Sequence, residues 1–174
     1  MWSRGKAGDN FKRLPIATFS GRRNTNFAVE LLSLETFLGV GSMENLSKLD
    51  FGYFIGQVVT SINTEENQPL GIILEKGWLM VECPWRIRKG KDIILGETDC
   101  VSEPEKFSHK NLKKLLISKK ILNISFFEQL ILIIEFEDNL TFELFHASSY
   151  FEGWSFQGDN GFDVFTLPGG KVCY

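Results

Sequence analysis

From Asp50 to the C-terminus, apolar positions alternate with polar ones or gather in short runs, the pattern of strands rather than of helices. Tyr53 to Ile62 predicts a first strand, ending at the polar cluster Asn63 to Asn67. Pro69 to Leu74 predicts a second, closed by Glu75-Lys76-Gly77, and Trp78 to Cys83 a third. Pro84 cannot donate to a ladder, so the chain there is expected to form an edge or a bulge. Trp85-Arg86-Ile87-Arg88 alternates apolar with basic, which leaves one face of it wet. Lys89-Gly90-Lys91 turns the chain into another short strand, Asp92 to Leu95.

The period then changes. Glu103-Pro104-Glu105 places acids and a proline where a helix begins, with Ser108 as a candidate cap. Leu112, Leu115 and Leu116 fall at helical spacing, with Lys110, Lys113 and Lys114 opposite them and Lys119 and Lys120 at the end. One helix over about 104–118 is predicted, its lysine face turned to solvent. Strands return at Ile121 to Phe127 and at Leu130 to Phe136. The latter is the most apolar and is expected at the centre of a sheet, buried on both faces. Glu137-Asp138-Asn139 connects it tightly to the alternating run Leu140 to His146. Phe151 to Phe156 and Phe162 to Leu167 form a second hairpin around Gly158-Asp159-Asn160-Gly161, whose residues reach positive φ cheaply. Pro168-Gly169-Gly170 turns the chain into Lys171 to Tyr174. Short strands on short turns build meanders rather than βαβ units. The expected class is α+β: a mostly antiparallel curved sheet or open barrel of about seven to nine strands, with one helix packed on it.

Residues 1–42 read differently. Gly41-Ser42-Met43 has the form of a cloning scar, which would make residues 1–42 an artificial leader or an N-terminal extension and 43–174 the domain. Within 1–42, Ala28 to Leu38 carries a helical apolar pattern after a basic, turn-rich stretch. Six Lys/Arg and three Asp/Glu give 1–42 a balance of +3, which leaves −6 for the rest of a chain whose net charge is −3.

Composition is that of a globular domain, with 43% hydrophobic and 24% charged residues; the 16 phenylalanines stand out. No apolar run approaches the ~20 residues of a membrane-spanning helix, so no membrane partner is expected. Three cysteines without a close pair, and no apolar signal segment, predict a reduced, cytoplasmic protein.

Catalytic chemistry finds little footing. His109 lies at the predicted helix start. His146 stands near Ser148 and Ser149, but no nucleophile-elbow motif surrounds them. No paired Cys or His has metal-ligand spacing. Gly158 to Gly161 lacks a P-loop lysine, and Asp159, Asn160 and Asp163 fall short of a calcium loop. Trp85, Arg86, Arg88, Lys89 and Lys91 form the one basic-aromatic cluster, set against a balance of −6. The reading is a non-enzyme without catalytic residues, metal or cofactor, and without direct nucleic-acid binding. It would be a monomer or weak dimer.

Three stretches point further: Tyr150-Phe151-Glu152-Gly153-Trp154, Gly158-Asp159-Asn160-Gly161 and Leu167-Pro168-Gly169-Gly170. Together with the hairpin Ile131 to Leu144, they resemble the C-terminal signature of a group of small bacterial proteins. Many of those are uncharacterised; others are similar to immunity proteins of contact-dependent or polymorphic toxin systems. The group often has a tryptophan after Pro-Gly-Gly, where this chain has Lys171-Val172-Cys173-Tyr174. The resemblance spans about the last 60 residues and carries over no catalytic residue. It implies a binder that neutralises one cognate toxin domain; against a nuclease, acids would take the place of phosphates in the active-site cleft. An acidic surface speeds encounter with a basic partner and rejects wrong ones. The candidate contacts are Glu65, Glu66, Glu137, Asp138, Glu152, Asp159 and Asp163, with Trp154, Trp78 or Trp85 as anchor. Core packing is the competing role for Trp154. Three other functions stay open on the residues alone. They are a small-molecule site in a Phe-rich pocket under the sheet, a hydrolase using His146, and an oligomer built on an exposed strand edge.

Overall fold

The computed structural model describes residues 49–65, 68–127 and 130–174. The Gly41-Ser42-Met43 junction, the pattern at Ala28 to Leu38 and Glu66 lie outside the described residues. Leu49–Tyr174 forms one compact unit.

Alternation and turn chemistry shape this unit into antiparallel strands. In chain order they are β1 (Val59–Ile62), β2 (Leu70–Leu74), β3 (Gly77–Val81), β4 (Trp85–Lys89), β5 (Asp92–Gly96), β6 (Ile121–Phe127), β7 (Ile131–Phe136), β8 (Leu140–Phe145), β9 (Trp154–Gly158), β10 (Asp163–Thr166) and β11 (Val172–Cys173). Two helices, α1 (Glu97–Ser102) and α2 (His109–Leu116), separate β5 from β6. The strands make a six-stranded sheet, β1-β2-β3-β9-β10-β11, and a five-stranded sheet, β5-β4-β8-β7-β6. The architecture is therefore two antiparallel sheets with few helices. It is not a single curved sheet or a closed barrel, and its described strands outnumber the expected seven to nine.

One ladder runs through both sheets. The chain from β3 to β4 pairs throughout with the chain from β8 to β9, antiparallel in each sheet. It bends at Glu82-Cys83-Pro84, where Glu82 N–H donates to Gly153 O and Phe145 N–H to Pro84 O. Pro84 makes this corner without a donor of its own. Opposite it, residues 146–152 are extruded from the ladder. A second seam joins the sheets where Val58 bridges Lys120, supported by Gly56 N–H to Ile121 O and Ile121 N–H to Gln57 O.

The inner faces of both sheets bury one cluster, from Phe54, Leu79 and Phe156 on one side to Ile87, Phe142 and Leu144 on the other. Phe54 stacks on Phe156 at 4.1 Å between centroids and meets Phe162 edge-on at 5.0 Å. The phenylalanines of this part pack ring against ring. Trp154, 1% exposed, bridges the sheets by an edge contact to Phe126.

Four elements depart from the sequence expectation. The helix predicted over 104–118 is the shorter α2, and a helix that was not expected, α1, lies ahead of it, where Asp99 Oδ2 accepts from Gly96 N–H at 2.8 Å. Pro104 follows the end of α1, and Ser108 caps a restart, its N–H donating to Asn111 Oδ1. Residues 52–54 form a 3-10 turn, so the first strand begins only at Val59. β7 is buried on one face alone, with Glu135 exposed on the other. Phe151 is not in β9 but 74% exposed in the extruded loop. The β7–β8 turn is as tight as expected, with Asp138 and Asn139 both at φ +61°.

Candidate functional site

The extruded loop is built by its own hydrogen bonds. Ser148 Oγ accepts from the N–H groups of Tyr150 and Phe151 at 3.1 and 2.9 Å. Ser148 O accepts from Gly169 N–H and from His146 Nε2, 2.9 Å away. Asn or Ser at such a position competes with regular pairing and turns the chain locally. His146 therefore meets the serine's carbonyl, not its hydroxyl, and the imidazole acts as a buried post under the loop. Tyr150 is left 84% exposed and Phe151 74% exposed on a braced backbone. With Glu82, Glu152 and Pro168 they line a cleft of about 440 Å³.

Glu82 also reaches a second cleft of about 670 Å³. This one lies among the β1–β2 loop (Glu65), the β3–β4 corner, α1 (Glu97, Cys100, Val101) and the start of α2 (Phe107, His109). Among the described residues, three glutamates and no lysine or arginine line it. His109 is held below the usual histidine range by burial, although a hydrogen bond to the Asn63 backbone opposes this, so the ring is neutral near pH 7. Burial pushes the Cys83 thiol up to about 12, and the charges of Glu97 and Glu82 add to it. Cys100 is raised by burial and by Asp99 and Glu97. Both cysteines are thus poor nucleophiles, and they register negative potential around the clefts.

The predicted contacts separate into distinct groups. Glu65 and Glu152 sit at these clefts, joined by Glu82 and Glu97, which sequence reasoning missed. None of the four has an ion pair to a described residue. Glu137 and Asp138 share the β7–β8 turn but are engaged by Lys120 and Lys119. Lys119 holds the Asp138 carboxyl below the usual range. Asp159 and Asp163 are exposed on the β9–β10 hairpin, where Asp163 Oδ1 accepts from Gln157 Nε2 at 3.0 Å. Trp154 and Trp85, 1% and 5% exposed, belong to the core and are not surface anchors; Trp78 is half-buried on the outer face of β3. Tyr150 and Phe151 are the most exposed aromatic side chains among the described residues. The sequence signal for them is the adjacent aromatic pair followed by an acid, Tyr150-Phe151-Glu152, but the pattern places Phe151 in the strand Phe151 to Phe156.

The basic cluster also resolves. Glu143, 6% exposed, accepts from the guanidinium groups of Arg86 and Arg88, the latter at 2.7 and 2.9 Å. Arg86 lies over the Phe145 ring at 4.9 Å. Two of the four basic residues, Arg86 and Arg88, are therefore committed within the fold. Among the described residues, no helix is long and apolar enough to cross a membrane. No protein-family model matches this chain, and no curated protein or solved structure does so either.

Proposed function

We propose that this chain is a non-enzymatic binding protein that neutralises a basic toxin domain in the bacterial cytoplasm, as an immunity protein does. The supporting observation is the pairing of exposed Tyr150 and Phe151, on a loop braced by Ser148, with Glu65, Glu82, Glu97 and Glu152. Rigid aromatic anchors lose little conformational entropy on binding and carry much of an interface's energy. Acids without lysine partners among the described residues are ready to meet arginine and lysine on the other side. Glu137 and Asp138 are assigned a smaller part, because a partner would have to displace Lys119 and Lys120. The natural test is co-expression with the C-terminal region of whichever large secreted protein a neighbouring gene encodes. The expected result is suppression of its toxicity and a one-to-one complex that weakens with salt. Undiminished toxicity with no complex would overturn the reading.

A further inference from the structure

The two sheets have four edges, and three are guarded. β1 is tied to the chain before β6 at the second seam. β11 has two residues, and β5 begins at Asp92 after Lys91 and passes directly into α1. The fourth edge, β6, reads Ile121-Leu-Asn-Ile-Ser-Phe-Phe127, with no charge and no proline. Ile121 pairs backward with Gln57 and Gly56. From Leu122 to Phe126, no described backbone group pairs with anything but β7. Leu122 and Phe127 are 52% and 56% exposed, and Ile124 and Phe126 are only partly covered by the core beneath them. A long, neutral, apolar edge of this kind is a template for strand addition, and folded proteins normally blunt it with lysine or proline.

We infer that β6 pairs antiparallel with the same strand of a second copy, joining two five-stranded sheets into one of ten strands. A second copy fits because the strand is self-complementary. With the two-fold axis at Ser125, Ile124 faces Phe126 of the partner subunit, and the two half-covered apolar side chains shield each other. Ser125 faces its own counterpart, a favourable hydroxyl pair, and no like charges stand opposite one another. A two-fold contact closes on itself, so the edge is consumed rather than extended into fibres. None of the residues assigned to the toxin surface takes part, so this inference stands or falls independently of that function.

The test is sedimentation velocity of the full chain over a wide concentration range, with two variants. The wild type is expected to pass from monomer to dimer as concentration rises. Ser125→Lys, which places like charges at the axis, is expected to stay monomeric with an unchanged melting temperature. Ser125→Cys is expected to oxidise to a disulfide-linked dimer, since cross-strand Cβ atoms lie within bridging reach. The surface control Thr98→Cys is not. A wild type that remains monomeric overturns the inference, as does a folded Ser125→Lys that dimerises like wild type. If Ser125→Lys fails to fold, Ser125→Cys decides: no more cross-linked dimer than Thr98→Cys contradicts the pairing.

Discussion

Glu143 is a charged side chain that the sheet carries almost out of water. Burial alone would raise its pKa, but hydrogen bonds and charge from Arg88 and Arg86 outweigh this and hold the carboxyl below the usual glutamate range. A depressed folded pKa stabilises the native state above the unfolded value, about 4.3. That contribution is lost as pH falls through the folded value. The wild type should therefore lose melting temperature on acidification below about pH 4.3. Glu143→Gln should be less stable at neutral pH, by about 1.5–3 kcal/mol, and its melting temperature should depend less on pH over the same range. A second residue, Gly153, is set by contact rather than by φ. A Cβ there would stand 2.2 Å from His146 Nδ1 and 2.9 Å from Thr166 Oγ1. Gly153→Ala should cost about 1–3 kcal/mol in denaturant unfolding. The double variant with His146→Ala should recover part of that loss, because the two sites share one space.

Among the elements, those with strict alternation or a defined turn are legible in the sequence. β4 shows Trp85 and Ile87 buried with Arg86 and Arg88 outward, as its pattern requires. The β7–β8 and β9–β10 hairpins follow from Asp138-Asn139 and from Gly158 to Gly161. What the sequence hides is where a ladder bends. Pro84 marks the corner, but the extrusion opposite it is hidden at its far end, since Phe151 continues the aromatic pattern of Trp154 and Phe156 and reads as strand. Tertiary pairing of Glu82 with Gly153 settles the matter. The loop's shape is then held locally, by Ser148. Ser148→Ala should weaken toxin binding severalfold, measured by calorimetry, while the melting temperature moves little, because the lost bonds are exposed.

At the scale of the whole molecule, the charge imbalance of the chain was visible at once, but its arrangement was not. Which acids have an ion pair depends on which lysines the fold places beside them, and Lys119 and Lys120 meet Asp138 and Glu137 through the pairing of β6 with β7, where Ile121 stands opposite Phe136. Glu82 and Glu97 join Glu65 and Glu152 by the same folding, from positions separated along the sequence. Most strands were legible because each is a local pattern; the candidate site was half legible because it is assembled at a bend. In the proposed function, the braced aromatic pair makes the contact, among acids that have no ion pair to a described residue. The most direct measurement is a calorimetric titration of the neighbouring toxin domain into wild type and into Tyr150→Ala/Phe151→Ala. Binding to the wild type, and a loss of at least about 2 kcal/mol in the variant at unchanged melting temperature, is the predicted result. Equal affinity of the two proteins would contradict the account.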